Sequence, residues 1–151
     1  MPSRVLFLCT GNYYRSRFAE SYFNHLAAGR GLGWEADSRA LAIERGACNV
    51  GPISPFARAA LADRGVGLPD PCRFPAGCLE ADLAAADLVV ALKEAEHRPY
   101  MLQKFPRWVD RITYWHVHDL DAATPDEAMA AIELLVTELV ERLAREARAS
   151  A

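Results

Sequence analysis

Arg4-Val-Leu-Phe-Leu-Cys9 is an apolar run without polar alternation, and it narrows the choice of fold more than any other stretch of this chain. A strand with one wet face alternates polar and apolar residues; a strand covered on both faces does not, so this run predicts a central parallel strand. Phe18, Ala19, Tyr22, Phe23 and Leu26 then recur at helical spacing from Ser16 until Gly29, where glycine suits a left-handed cap. The chain opens as strand, tight loop, helix.

The same alternation continues downstream. Residues 34–41 read as a second strand, and Ser54-Pro55 supplies an N-cap and first-turn proline for a helix that Gly65 ends. Residues 79–85 read as a short helix, 87–92 as a buried strand, 94–104 as a helix and 111–118 as the last strand. Thr124-Pro-Asp-Glu127 has the capping-box pattern, after which Met129, Ile132, Val136, Leu139 and Leu143 line one face of a long helix. Arg142, Arg145 and Arg148 suit the negative end of that helix. Alternation without repeats or low-complexity linkers predicts an α/β fold, with a mainly parallel sheet and helices on both faces. Residues 1–151 are expected to form a single domain, long enough to bury roughly 68–70% of the surface of the unfolded chain. Ligands of such sheets bind beyond the carboxyl ends of the strands.

Composition removes several classes of function. The formal net charge is −3 and no run of Lys and Arg is clustered enough to neutralise successive phosphates, so no nucleic-acid partner is expected. No apolar stretch approaches the ~18 residues that span a bilayer, and the N-terminus lacks a signal-peptide pattern, so a cytoplasmic protein with no membrane partner is expected. Cys9, Cys48, Cys72 and Cys78 are too few and too irregular for a disulfide scaffold, and none forms a CxxC pair. Trp34 and Trp108 suit either an interface or a core, which leaves the oligomeric state open.

The loop that follows the first strand, Cys9-Thr10-Gly11-Asn12-Tyr13-Tyr14-Arg15-Ser16, is the candidate site. A Cys with Arg six positions later is expected about 0.4 times by chance in this composition, so the spacing alone is weak. Its place at a strand's end and ahead of a helix is what matters, because backbone N–H groups there converge on an anion and the helix N-terminus favours negative charge. Gly11 allows close approach of a phosphate, and Asn12 tolerates positive φ while its amide can brace the loop. Arg15 would grip two equatorial oxygens through its planar fork, in the ground state and in the trigonal-bipyramidal transition state. The same positive field would favour a Cys9 thiolate. Ser16 suits two roles, capping the helix or donating to the Cys9 sulfur. Tyr13 and Tyr14 would either wall a pocket or pack into the core.

The string Cys9-Thr-Gly-Asn-Tyr-Tyr-Arg-Ser-Arg-Phe-Ala-Glu20 resembles the signature of the low-molecular-weight protein tyrosine phosphatases. The likeness extends more loosely through Asp63-Arg-Gly-Val66, Ala86-Asp-Leu-Val-Val90, His97 and Trp115 to Asp119. It implies a four-stranded parallel sheet in a three-layer arrangement, with no metal and no cofactor. It also implies phosphate binding by Thr10, Gly11, Asn12, Tyr13, Tyr14, Arg15 and Ser16, with Cys9 as nucleophile and Asp119 as proton donor. A phosphotyrosine protein or small aryl phosphate is the implied substrate, since an aryl oxide is a far better leaving group than an alkoxide. Two departures stand out: Asp119-Leu120 replaces the family's Asp-Pro, which makes Asp121 a rival acid, and Tyr14 replaces a second loop cysteine that can trap an oxidised nucleophile.

Other readings remain at this point. An arsenate reductase of the same fold would need two further cysteines, one of them just after the strand at 87–92, where Lys93 stands. His116-Val-His118-Asp-Leu-Asp121 has the residue types of a divalent-metal site, although plain alternation on an edge strand also produces it. A module that binds phosphate without turnover would fit the altered acid loop.

Overall fold

A computed structural model describes residues 1–117 and 123–150. The order of elements is β1 (Ser3–Cys9), α1 (Arg15–Gly29), β2 (Trp34–Ala40), α2 (Pro55–Asp63), α3 (Glu80–Ala85), β3 (Leu88–Ala91), α4 (Glu94–Lys104), β4 (Thr113–Tyr114) and α5 (Pro125–Ser150). The four strands form one sheet in the order β2-β1-β3-β4, and every pairing is parallel. The chain leaves β1 toward β2 and later crosses back to β3 on the other side of β1. That reversal of direction lies at the carboxyl end of β1, where the two loops separate and leave a crevice.

The unalternated apolar run of β1 has the expected cause. Val5 and Phe7 point to one face and pack with Phe18, Phe23, Leu61, Ile132 and Val136 from α1, α2 and α5. Leu6 and Leu8 point to the other, among Leu83, Val89, Met101 and Val109. Two separate cores therefore clamp the strand that delivers Cys9, and each fully buried Leu or Phe in them contributes about 1.5–3 kcal/mol. The α5 residues expected to line one face, Met129, Ile132, Val136, Leu139 and Leu143, are all buried.

Three local expectations meet the structure differently. Gly29 is the last residue of α1 rather than its left-handed cap; that conformation falls to Gly31, at φ 62°. The amides of Gly31 and Leu32 turn back to the carbonyls of Ala28 and Ala27, at 3.2 and 2.9 Å, which carries the turn two residues further than the glycine pattern suggests. Gly65 does close α2 as expected, at φ 70°. The last strand, expected over 111–118, is regular only at Thr113–Tyr114. β3 ends at Ala91 and turns into α4, so beyond that point the chain finds single partners: Trp115 N–H donates to Ala91 O at 2.8 Å and Val117 N–H to Leu92 O at 2.7 Å. The Trp115 carbonyl is taken by the first amide of α4, Glu94 N–H, at 2.9 Å. Among the described residues, no helix is long and apolar enough to cross a membrane.

Candidate active site

Loop 9–16 lies at the carboxyl end of β1, and its carbonyls are committed outward. Cys9 O accepts from Leu41 N–H and Thr10 O from Ala42 N–H, both at 2.9 Å, Tyr13 O accepts from Ser54 N–H at 2.8 Å, and Tyr14 O from Phe18 N–H at 3.1 Å. In a trans peptide the next residue's N–H points opposite to the carbonyl. The amides of Thr10, Gly11, Tyr14 and Arg15 are thereby turned the other way, toward the concave side of the loop. A cavity of about 560 Å³ opens there, lined by loop residues Cys9 to Arg15 except Asn12, with Arg45, Gly46, Asn49 and Phe56 on its rim. A Cβ on Gly11 would lie in ordinary contact with Asn49 Nδ2 at 3.6 Å and Gly46 Cα at 3.9 Å, on the rim of that cavity.

Asn12 is the keystone of the loop. Fully buried at φ 53°, it uses its whole side chain. The amide nitrogen donates to Ser16 Oγ at 2.8 Å and Ser38 Oγ at 2.9 Å, while Oδ1 accepts from Arg73 Nη1 at 2.9 Å and Ala76 N–H at 3.1 Å. Arg73 also bonds Glu20 Oε1 and Ser38 O, both at 2.9 Å. Ser38 Oγ in turn donates to Glu20 at 2.5 Å. Buried Arg17 reaches across to Pro52 O at 2.8 Å and Arg73 O at 2.7 Å. Left-handed strain at a non-glycine costs on the order of 1–3 kcal/mol, and a network as fully satisfied as this one is what sustains it.

Of the two readings of Ser16, the cap is not the one it takes. Tyr14 is the N-cap of α1 and no side chain caps that helix. Ser16 Oγ instead lies 2.9 Å from Cys9 Sγ and accepts from Asn12, which leaves its own proton to donate to the sulfur. Tyr13 lines the cavity and its hydroxyl donates to Val50 O at 2.6 Å, whereas Tyr14 both borders the cavity and packs into the core.

Arg15 is 2% exposed. Its Nη1 donates to Glu96 Oε2 at 3.1 Å and to Val117 O at 3.2 Å, and its Nη2 donates to Glu96 Oε1 at 3.2 Å. Glu96 also accepts from the Thr10 hydroxyl. Burial alone would raise the Glu96 carboxyl, but hydrogen bonds from Arg15 and Thr10 and the charge of Arg15 outweigh it and hold the group below the usual carboxylate range. Fully buried His97 is also lowered, to about 3, by burial and by Arg15, which keeps its ring neutral.

The sequence brings Cys9, Thr10, Gly11, Asn12, Tyr13, Tyr14, Arg15 and Ser16 together, as contiguity requires. It does not reveal that Ser38, Arg73 and Glu96 complete the site, and it marks His97 only through the family likeness. Asp119 and Asp121, the two candidate acids, and His118 lie outside the described residues. Among the described residues no group of three or more His, Cys, Asp or Glu is placed to hold a metal ion, and the His116 side chain is 73% exposed beside Glu94. Cys72 and Cys78 do not line the cavity, and burial, with Asp82 nearby, pushes the Cys78 thiol up to about 12.

Residues 4–149 match the family model described as low molecular weight phosphotyrosine protein phosphatase. No curated protein matches the sequence. Among solved structures, a low molecular weight protein tyrosine phosphatase from T. tengcongensis is 28% identical at a TM-score of 0.76, covering 93% of this chain and 99% of its own. YfkJ from Bacillus subtilis superposes at a TM-score of 0.81 with 23% identity, covering 97% of both chains. The YwlE arginine phosphatase from Geobacillus stearothermophilus superposes at 0.75 with 22% identity, covering 96% of this chain and 95% of its own. At these lower identities the likeness concerns the fold alone.

Proposed function

Because this chain belongs to the low molecular weight phosphotyrosine protein phosphatase family, we propose that it hydrolyses phosphotyrosine or small aryl phosphate monoesters through a phosphocysteine on Cys9. The observation that carries this reading is the placement of Cys9 Sγ, 2.9 Å from Ser16 Oγ, on a cavity bordered by a loop whose carbonyls are all turned outward where their partners are seen. A thiolate there faces an oxyanion cradle and has a hydroxyl to steady it before attack and on departure.

The thiolate attacks phosphorus in line, the bond from phosphorus to the aryl oxygen breaks, and Asp119 supplies the departing oxygen with its proton. Water then attacks the phosphocysteine and gives its proton to Asp119. The sulfur–phosphorus bond breaks with its electron pair returning to Cys9, and inorganic phosphate leaves. Arg15 and the loop amides follow the charge on the three equatorial oxygens throughout. Asp119 takes the acid's role over Asp121 on its position after Trp115.

The aromatic side chains on the cavity support an aryl phosphate as the substrate. Tyr13 and Phe56 give it aromatic walls, and Arg15 and Arg45 are the charged side chains among its described lining. A thiol relay of the arsenate-reductase kind is disfavoured, since Cys9 is the cysteine on the cavity and Cys78 resists ionisation.

Hydrolysis of p-nitrophenyl phosphate, phosphotyrosine and phosphoarginine by wild type and Cys9→Ser, with and without chelator, tests the reading. Turnover should depend on Cys9, ignore chelator and favour the aryl esters; phosphate binding without turnover would leave only a binding module. Asp119→Ala should lower the rate by about 10²-fold or more and Asp121→Ala should do little, since positioned proton transfer contributes ~10²–10⁴-fold. The reverse ranking would move the acid role to Asp121.

A further inference from the structure

We propose that Glu96, locked by a directional hydrogen-bond chain from His97 through Thr10, is a positioning residue that sets the orientation of the Arg15 fork toward the phosphoryl group; the inference rests on the phosphatase reading above. Neither Glu96 nor His97 has a part in the steps just described, yet the structure ties both to the loop more closely than structural convenience requires.

The direction of the chain can be read from its first link. Lys93 N–H donates to His97 Nδ1 at 3.0 Å, so in the neutral ring the proton sits on Nε2. Nε2 lies 3.2 Å from Thr10 Oγ1 and donates to it, which fills a lone pair of that hydroxyl and sends its own proton onward to Glu96 Oε1. The carboxylate is thus oriented from behind before it meets Arg15. Each of its oxygens then accepts from a different terminal nitrogen of the guanidinium, at 3.1 and 3.2 Å. Two parallel bonds to one planar fork fix rotation about its last bonds, and the Nη1 bond to Val117 O adds a third constraint.

A guanidinium has three edges, and Glu96 takes the one between the terminal nitrogens. A carboxylate that merely competed with phosphate for Arg15 would need to swing away. This one is held by Thr10 and sits in the first turn of α4, where negative charge is favoured, on a helix carried by the second core. The arrangement orders a long side chain during folding, so that the substrate does not have to order it on arrival.

The test uses the full chain with p-nitrophenyl phosphate turnover, and with inorganic phosphate binding followed by calorimetry as a readout that does not depend on turnover. Glu96→Ala should lower kcat about 10- to 100-fold, the scale set by misplacing a reacting group, and should weaken inorganic phosphate binding. Glu96→Gln, which keeps one acceptor oxygen, should recover a measurable part of both. Thr10→Val should fall in the same direction by a few-fold, and adding it to Glu96→Ala should cost nothing further, because both act through one chain. Unchanged or tighter phosphate binding in Glu96→Ala would overturn the proposal and make the carboxylate a competitor. Full additivity of Thr10→Val with Glu96→Gln would overturn it as well, and this pair serves should Glu96→Ala fail to fold. Wild type whose turnover does not depend on Cys9 would sink the phosphatase reading alone, since the phosphate affinities still report on Arg15.

Discussion

The loop that carries Cys9 is braced on two shoulders by different chemistry. On the Asn12 shoulder buried Asn12, Ser16 and Ser38 share side-chain hydrogen bonds, closed from the 73–76 segment by Ala76 and by the more exposed Arg73, which pairs with Glu20. On the Arg15 shoulder an ion pair to α4 does the holding, and its carboxylate is 28% exposed. Side-chain bonds among fully buried Asn12, Ser16 and Ser38 fix shape and tolerate no missing partner, whereas the half-buried pair of Arg15 and Glu96 fixes the direction of a charge and can be altered with less effect on the fold. The first shoulder should therefore dominate stability and the second should be read mainly in function.

Breaking the Asn12 shoulder should have the largest effect on the fold. Asn12→Ala deletes four hydrogen bonds, removes a partner from fully buried Ser38 and Ser16, and leaves a Cβ residue at φ 53° without the amide that sustained it. A loss of about 3 kcal/mol or more is expected from unsatisfied buried groups and backbone strain together. Urea denaturation of the variant measures it. Asn12→Gly relieves the strain but not the lost bonds, so it should recover only part; full recovery would show that the hydrogen bonds contribute little.

The Arg15 shoulder can be probed by acid. Burial and the charge of Arg15 hold His97 in its neutral form when folded, while the unfolded chain takes up the proton below about pH 6.5. The unfolded state then binds more protons, so this contribution is complete above pH 6.5 and is lost as pH falls from there toward the depressed folded value. The slope is up to about 1.4 kcal/mol per pH unit for one proton. Glu96, whose folded value is lowered by Arg15 and Thr10, adds its own loss only below the ordinary carboxylate range. Urea midpoints at pH 7, 6 and 5 should thus fall in wild type and flatten in His97→Gln. Parallel slopes in the two proteins would place the acid sensitivity elsewhere.

The two shoulders also differ in how far they could be read from the chain. Cys9, Asn12, Arg15 and Ser16 are legible because one contiguous segment after a buried strand supplies them, and Asn tolerates the left-handed turn that such a loop needs. Ser38, Arg73 and Glu96 stand 26, 61 and 81 residues from their partners in the loop, and nothing local marks a strand serine or a helix glutamate as a brace. Ser16 had an adequate local explanation as a cap, and only the position of Cys9 Sγ decides between the roles. β4 is shorter than its alternating pattern because a strand ends where its partner does, and β3 stops at Ala91. The unalternated apolar run of β1 and the apolar periodicities of α1 and α5 are sufficient for the layers, since burial is recorded in the sequence along each element.

A smaller change, made far from both shoulders, supplies the control that the comparison needs. Thr124 and Glu127 form a reciprocal capping box at the start of α5: Glu127 N–H donates to Thr124 Oγ1 at 3.2 Å and Thr124 N–H to Glu127 Oε1 at 3.4 Å. Both bonds are long and exposed, so Thr124→Ala should cost about 0.5–1 kcal/mol, the lower part of the range for lost N-caps. The rest of α5 is secured by Met129, Ile132, Val136 and Leu139 in the core, and the helix should remain intact beyond its first turn. Thermal melts should show a small drop, with affinity for inorganic phosphate unchanged. A fall in phosphate affinity as large as that caused by Glu96→Ala would mean that general loosening of the fold, rather than the orientation of Arg15, governs the site, and the distinction between the two shoulders would fail.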